Sequence, residues 1–365
     1  MTARIPREAQ RGQPNLPLFL RAKTMSTSPV RAANILVPPP CKFFSAMMLT
    51  PASFSNAKEF LLQRARPLER ALFGFHFENA PASEVRRALA AYQNADGGFG
   101  RALEPDFRLP ASSAIATSQA FRILREAGVS ARDPMLRAAV RWTQAAFDHA
   151  LDRWPIVPPE VNNWPHAPWW TWSAPGQPGF AANPGIEFVA HLWRYREAVD
   201  PAFLSDITAR AEELIARLPE RPEMHDLLCV IYMAETPSVP ALLRNQAACR
   251  VRQAGPAIVS RNPEAWAGYA VKPLVLAPRA ASLLAPLLRD AVEDNLQFEF
   301  LRQGADGAWA PNWNWGGLFP EDWPQAELEW KGVLSLQALL TFRSYGCLSA
   351  IGHEAVAQTH SLAYA

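Results

Sequence analysis

The chain has 365 residues, 49% of them apolar, with 13 Trp, 34 Pro, four Cys and a formal net charge of +2. That length accommodates one large domain or two modest ones, and no run of about 18 uncharged apolar residues is present to form a hydrophobic membrane-spanning helix. Residues 1–46 hold seven basic side chains (Arg4, Arg7, Arg11, Arg21, Lys23, Arg31, Lys42) against Glu8, which leaves 29 basic and 33 acidic residues, net −4, in the remainder. That remainder has neither a basic footprint for nucleic acid nor a Gly-rich phosphate loop, so no nucleic-acid partner is expected.

Residues 1–46 are rich in Pro, Ser and Arg and poor in acids, a composition expected to be disordered. They read as a transit-type targeting segment, or as an upstream reading-frame start with translation beginning at Met47 or Met48. Their apolar residues fall in no amphipathic Arg-bearing helix, which favours the second reading. The four cysteines, Cys41, Cys229, Cys249 and Cys347, lack paired spacing. This argues for a reducing, cytoplasmic setting and against a disulfide framework or a zinc ribbon.

From residue 47 to 365 the pattern predicts one all-α domain. Lys58–Leu72 places apolar residues at helical spacing, interrupted at Pro67. A helix from Glu84 to Gln93 stops at Asn-Ala-Asp-Gly-Gly, and Ser112–Ala127 forms another, ended by Gly128. Asp133-Pro134 supplies an N-cap and a first-turn proline for the next. A Pro-rich loop follows over about 153–183, then helices over about 185–199, 201–218, 222–235, 238–253, 279–303, 327–345 and 350–361. No segment alternates with period two over a strand's length, so no sheet is expected. The count is about eleven or twelve helices, joined by short turns on one side and long Pro/Trp loops on the other. Nine of the tryptophans lie in windows 164–172 and 309–330, which suggests a lined cavity or groove.

One phrase occurs twice between helices. Gln93-Asn-Ala-Asp96-Gly97-Gly98-Phe99 returns 210 residues later as Gln303-Gly-Ala-Asp306-Gly307-Ala308-Trp309. Repetition of a loop phrase points to a fold built from similar helical hairpins. The first and last hairpins carry the most similar phrase, and neither end looks like a polar cap, so a closed double ring is expected over an open solenoid.

The phrase resembles the repeat motif of the terpenoid cyclase and protein prenyltransferase superfamily. Gln93, Asp96, Gly98 and Phe99 match it once, and Gln303, Asp306, Gly307 and Trp309 match it again; Asp152-Arg-Trp154 and Glu264-Ala-Trp266 look like degenerate copies. The resemblance covers about residues 55–345 and implies an α/α toroid, in which the Gln and the aromatic tie the end of an outer helix to its loop. The superfamily's catalytic signatures are missing. The chain has no Asp-x-Asp-Asp, the nearest stretches being Glu104-Pro-Asp106 and Glu293-Asp294, and no Asp-Asp-x-x-Asp for magnesium diphosphate. His225 and Cys229, at i, i+4, fit a zinc pair poorly and a polar–thiol pair in an apolar helix better. No metal or cofactor is expected.

Three loops carry candidate chemistry. Glu104 and Asp106, bracketed by Arg101 and Arg108, fit a salt-bridged turn or an acid/base pair with one carboxyl ionised and the other tuned. In the Pro-stiffened loop 158–170, His166 is a candidate proton relay, and Trp169 and Trp170 are either binding walls or packing aromatics. In loop 313–331, Trp313 and Trp315 are candidate walls, with Asp322 and Glu327 as candidate binding acids at a helix start. Glu327 and Glu329 lie two apart, so at most one faces a cavity. The function these residues lead us to expect is binding of a hydrophobic or isoprenoid-like small molecule in a Trp-lined cavity, with non-standard lyase, isomerase or cyclase chemistry on Glu104, Asp106 and His166. A carbohydrate-active enzyme and a non-catalytic scaffold are the alternatives.

Overall fold

The computed structural model describes residues 48–174 and 176–348, which belong to one compact unit. The expected leader and the expected helix over 350–361 lie outside these residues. The described residues are all-α, with isolated β-bridges but no strands. In chain order the helices are α1 (Pro51–Arg64), α2 (Pro67–Phe77), α3 (Ala82–Leu89), α4 (Ala114–Glu126), α5 (Pro134–Ala145), α6 (Gly185–Arg194), α7 (Pro201–Ala216), α8 (Met224–Ala234), α9 (Ala241–Ile258), α10 (Pro273–Leu276), α11 (Arg289–Leu301) and α12 (Trp323–Ser344). No helix among them is long and apolar enough to cross a membrane.

Local chemistry sets the starts. Thr50, Ser113, Asp133 and Asp200 accept the amides of Ser53, Ala116, Met135 and Phe203, so each satisfies an otherwise orphaned N–H at the head of α1, α4, α5 or α7. Prolines at the first turn of α1, α5 and α7 cost no hydrogen bond there. One expected helix is shorter than its pattern. Residues 279–288 are turns, and α11 begins only at Arg289. Pro286 cannot continue a helical ladder, and the Glu235 carboxylate at the end of α8 holds the turn by accepting from the Leu283 amide at 2.7 Å and the Arg279 side chain at 2.6 Å.

Successive helices pack pairwise: α4 on α5 and α6, α6 on α7 and α8, α8 on α9, α10 on α11. The chain's two described ends meet, because α12 packs on α1 and α2. The Leu49 amide donates to the Cys347 carbonyl at 2.8 Å beside these helices. Between them runs one apolar core that includes Leu61, Phe73, Phe121, Phe188, Val230 and Leu339.

The two copies of the repeated phrase make the same bonds. Gln93 Nε2 donates to the Gly97 carbonyl (2.9 Å) and to the Met135 carbonyl in the first turn of α5 (2.9 Å). Gln303 Nε2 donates to the Gly307 carbonyl (2.9 Å) and to the Ser53 carbonyl in the first turn of α1 (2.8 Å). Phe99 N–H bonds Thr117 Oγ1 in α4, and Trp309 N–H bonds Ser335 Oγ in α12, each at 3.0 Å. Gly97 and Gly307 have φ of +95° and +83°, and a Cβ there would lie 2.6 Å from the Ala138 carbonyl oxygen or 2.4 Å from that of Asn56. Glycine is therefore required twice over, by backbone conformation and by close approach. The indoles of Trp154, Trp266 and Trp309 donate to carbonyls at or just beyond the ends of α5, α9 and α11, Thr143, Ser260 and Glu299, at 2.7, 2.9 and 2.8 Å.

Candidate functional site

Loops 100–109, 164–171 and 310–322 come together. The strand-like stretch around Phe107 bridges His166, with Arg108 N–H donating to the Pro165 carbonyl and Ala167 N–H to the Asp106 carbonyl, both at 2.7 Å. Trp170 meets Phe107 edge-on at 5.7 Å. Asp106 Oδ1 accepts from the Trp315 indole at 2.9 Å and from the Trp330 indole in α12 at 2.8 Å. Trp313 lies against Trp330 at 5.1 Å, and its indole N–H is among those that pull the Asp106 carboxyl down.

The first loop is held in a costly conformation. Arg101 and Ala102 have φ of 55° and 58°, in the left-handed region that side chains disfavour. Arg66 compensates by donating to the Ala102 and Leu103 carbonyls at 2.8 and 3.2 Å. Its other face grips Glu69 as a fork, at 2.8 and 2.6 Å. Arg108 in turn bonds Glu329 at 2.9 and 3.1 Å. The result is a buried ionic frame around two further buried carboxyls, Glu104 and Asp106.

Those two are not equivalent. Burial pushes Glu104 up to about 7, with the Asp106 charge adding to the rise and the Gln119 side-chain amide opposing it. Burial also raises Asp106, against the pull of the tryptophan indole N–H groups. The indole hydrogen bonds favour the ionised form at Asp106, while the side chain of Glu104 receives the Gln119 amide. The arrangement sets a carboxyl raised by burial beside one held by indole N–H groups, walled by tryptophan.

The remaining expected residues are spread around this centre. His166 is buried and holds its loop, with Nδ1 2.6 Å from the Trp164 carbonyl, Nε2 3.1 Å from Thr171 Oγ1, and its ring against Phe319. Trp315 is buried and serves Asp106, whereas Trp169 and Trp164 stay exposed at 49% and 41%. Asp322 heads α12 through backbone bonds, without a side-chain cap. Glu327 is half-buried, and its neighbour Glu329 is the acid that enters the ionic frame. His225 and Cys229 do not share a partner: His225 bonds Glu223 at 2.8 Å, while Cys229 is buried beside Glu187.

A second polar cluster, unanticipated from sequence, lies on α4, α6 and α8. Arg122 grips Glu187 as a fork, His191 Nε2 lies 3.2 Å from the same carboxylate, and Tyr232 Oη lies 3.1 Å from His191 Nδ1. Burial tends to raise the Glu187 carboxyl, but the Arg122 charge and bonds outweigh it and set Glu187 at about 2. Burial depresses His191 to about 4, so its imidazole is neutral. The one signal in the sequence was a Glu and a His four apart in an otherwise apolar helix, Gly185–Leu192. A depression of about 300 Å³ lies elsewhere, lined by Asp96, Arg141, Trp142, Ala145 and Ala146. Its carboxylate is already engaged by the Gly98 amide, Ser112 and Trp142.

Together these features define an all-helical protein with a loop-built, tryptophan-walled carboxyl site. No protein-family model, curated protein or solved structure matches the chain.

Proposed function

We propose that the twelve helices form a closed α/α toroid of the terpenoid cyclase and protein prenyltransferase type, even-numbered helices inside and odd-numbered outside. The packing of α12 on α1, and the bond from Gln303 after α11 to Ser53 of α1, support this reading. On it, the three converging loops ring the mouth of an interior cavity that binds a small hydrophobic or amphipathic molecule, in a cytoplasmic protein.

The observation that carries the reaction class is the buried Glu104, its carboxyl raised by burial and by the Asp106 charge, beside the indole-bound Asp106. A carboxyl near 7 is too weak an acid to protonate an isolated alkene, as cationic cyclisation requires. It is well matched to general acid–base work at a heteroatom or an activated C–H near neutral pH. The reading is therefore a lyase or isomerase: Glu104 delivers the proton to the departing or rearranging oxygen, and Asp106 stabilises developing positive charge. Trp313, Trp315 and Trp170 supply walls, and His166 keeps its loop in register.

The test is mass spectrometry of ligands that copurify with the protein, followed by turnover of the ligand class by wild type, Glu104→Gln and Asp106→Asn. Loss of turnover in both variants with the helical signal retained supports the reading; turnover at the wild-type rate in Glu104→Gln sinks it. The exposed faces of Trp164 and Trp169 favour one second reading, a carbohydrate-active enzyme in which sugar rings stack on indole. Oligosaccharide hydrolysis, with no copurifying isoprenoid, would select it.

A further inference from the structure

Gln119, Arg122 and Glu126 recur at i, i+3 and i+7 on α4 and so share one face. Gln119 reaches Glu104 at the loop end of the helix. Seven residues on, about 10 Å along the axis, Glu126 Oε1 lies 2.8 Å from His76 Nε2 of α2. Arg122 and Glu126 keep side-chain accessibilities of 48% and 40%. On the toroid reading, this face of α4 lines an interior recess that runs from the carboxyl site toward the C-terminal end of the helix and becomes charged along its length.

The donors at depth are not all used. Glu187 occupies Nε and one terminal nitrogen of Arg122, which leaves Nη1 without a partner among the described residues. Arg125, one turn further on, lies 4.4 Å over the Tyr232 ring and makes no salt bridge among the described residues. Tyr232 is in contact with both guanidiniums, Arg122 at 5.8 Å, so the two forks converge on one ring. The nearby acids are engaged, Glu187 by Arg122 and His191 and Glu126 by His76. An unshared guanidinium fork facing such a recess is matched by a planar or tetrahedral oxyanion.

We propose that the deep end of this recess binds an anionic oxygen group of the ligand, a carboxylate or a phosphate, on Arg125 and the free edge of Arg122. This rests on α4 lining the interior, as in the reading above, and it makes the ligand amphipathic: anionic at depth, with its reacting atom at Glu104. The polar group enters first, and the apolar remainder lies along the tryptophan walls.

The experiment is isothermal titration of the full-length protein with octanoate and, separately, with inorganic pyrophosphate, at fixed ionic strength. Wild type should bind one of the two, which identifies the source of the anion. Arg125→Gln should weaken that binding about tenfold or more, Arg125→Lys less, and the exposed Arg141→Gln not at all. Glu126→Gln should tighten it severalfold by removing a neighbouring negative charge. A circular dichroism spectrum shows that each variant is folded; Arg125→Lys stands in if Arg125→Gln is not. Failure of both probes to bind wild type, or unchanged affinity in the Arg125 variants, overturns the proposal. Glu104→Gln should leave anion affinity intact, so unchanged turnover in that variant refutes the acid–base reading without touching this one.

Discussion

Gln303 reaches back 250 residues to donate its side-chain amide to the Ser53 carbonyl at 2.8 Å, joining the last loop phrase to the first helix. The equivalent bond, Gln93 to Met135, spans 42 residues. The same chemistry therefore performs a local task once and a long-range task once. Gln303→Ala removes both of its bonds and leaves two carbonyls short of donors, a loss of about 1–3 kcal/mol. Chemical denaturation should show a lower midpoint with Gln303→Ala, and an unchanged midpoint would mean the clasp contributes nothing.

Gly307 makes a sharper case. Its φ is +83° and an added Cβ would sit 2.4 Å from the Asn56 carbonyl oxygen, whereas Gly316, at φ +63°, has open space. Gly307→Ala should cost more than about 2 kcal/mol, through strain plus displacement of α1, and Gly316→Ala about 1 kcal/mol from strain alone. Thermal unfolding of the two variants side by side checks the order; equal losses would contradict the packing of loop 303–309 on α1.

Glu104 makes stability fall with pH. Its folded value is raised from 4.5 to about 7, so between those values the folded chain holds a proton that the unfolded chain has lost. More protons bound in the folded state means stability declines as pH rises through that window. Glu104→Gln should make unfolding free energy rise more steeply with pH than in the wild type between about 4.5 and 7, because the opposing contribution of His191 is then uncompensated. A wild-type slope retained in the variant would place the proton elsewhere.

Glu187 and His191 act with the opposite sign. Glu187 is lowered from 4.5 to about 2, and its contribution is present above 4.5 and lost as pH falls toward 2. His191 is lowered from 6.5 to about 4, so the unfolded chain binds the proton first and stability is lost as pH falls from 6.5 toward 4. His191→Phe should flatten the upper part of this acid limb, between about 6.5 and 4, and leave the part below 4 to Glu187. Persistence of the upper limb in His191→Phe would contradict a buried neutral imidazole.

Asp106 depends on its indoles. Trp330→Phe keeps the aromatic volume but removes a 2.8 Å donor to Oδ1, which should raise the Asp106 carboxyl further by loss of charge-favouring hydrogen bonding. Carboxyl-carbon NMR titration of wild type and variant reads the shift directly, and a downward movement would contradict the indoles' hold on Asp106.

Much of this was written locally. Asp133-Pro134 announced α5 because an N-cap and a first-turn proline act within one turn, and Gln93 and Gln303 announced their clasps because each bonds a glycine carbonyl four residues away. Glu104 and Asp106 were legible as a close pair of acids between arginines. The partners were not. Arg66 reaches Ala102 across 36 residues, Arg108 reaches Glu329 across 221, and Trp330 reaches Asp106 across 224. Glu329, not Glu327, enters the frame because helical phase on α12 turns it toward Arg108 and Arg66.

By itself, then, the sequence determined the helices, their caps, the repeated clasp and the loops that carry acids and tryptophans, since these depend on periodicity and bonding within a few residues. Only the tertiary structure decided which carboxyls are buried and raised and which arginine is left with free donors. Both follow from desolvation and from partners hundreds of residues away, which no local spacing records.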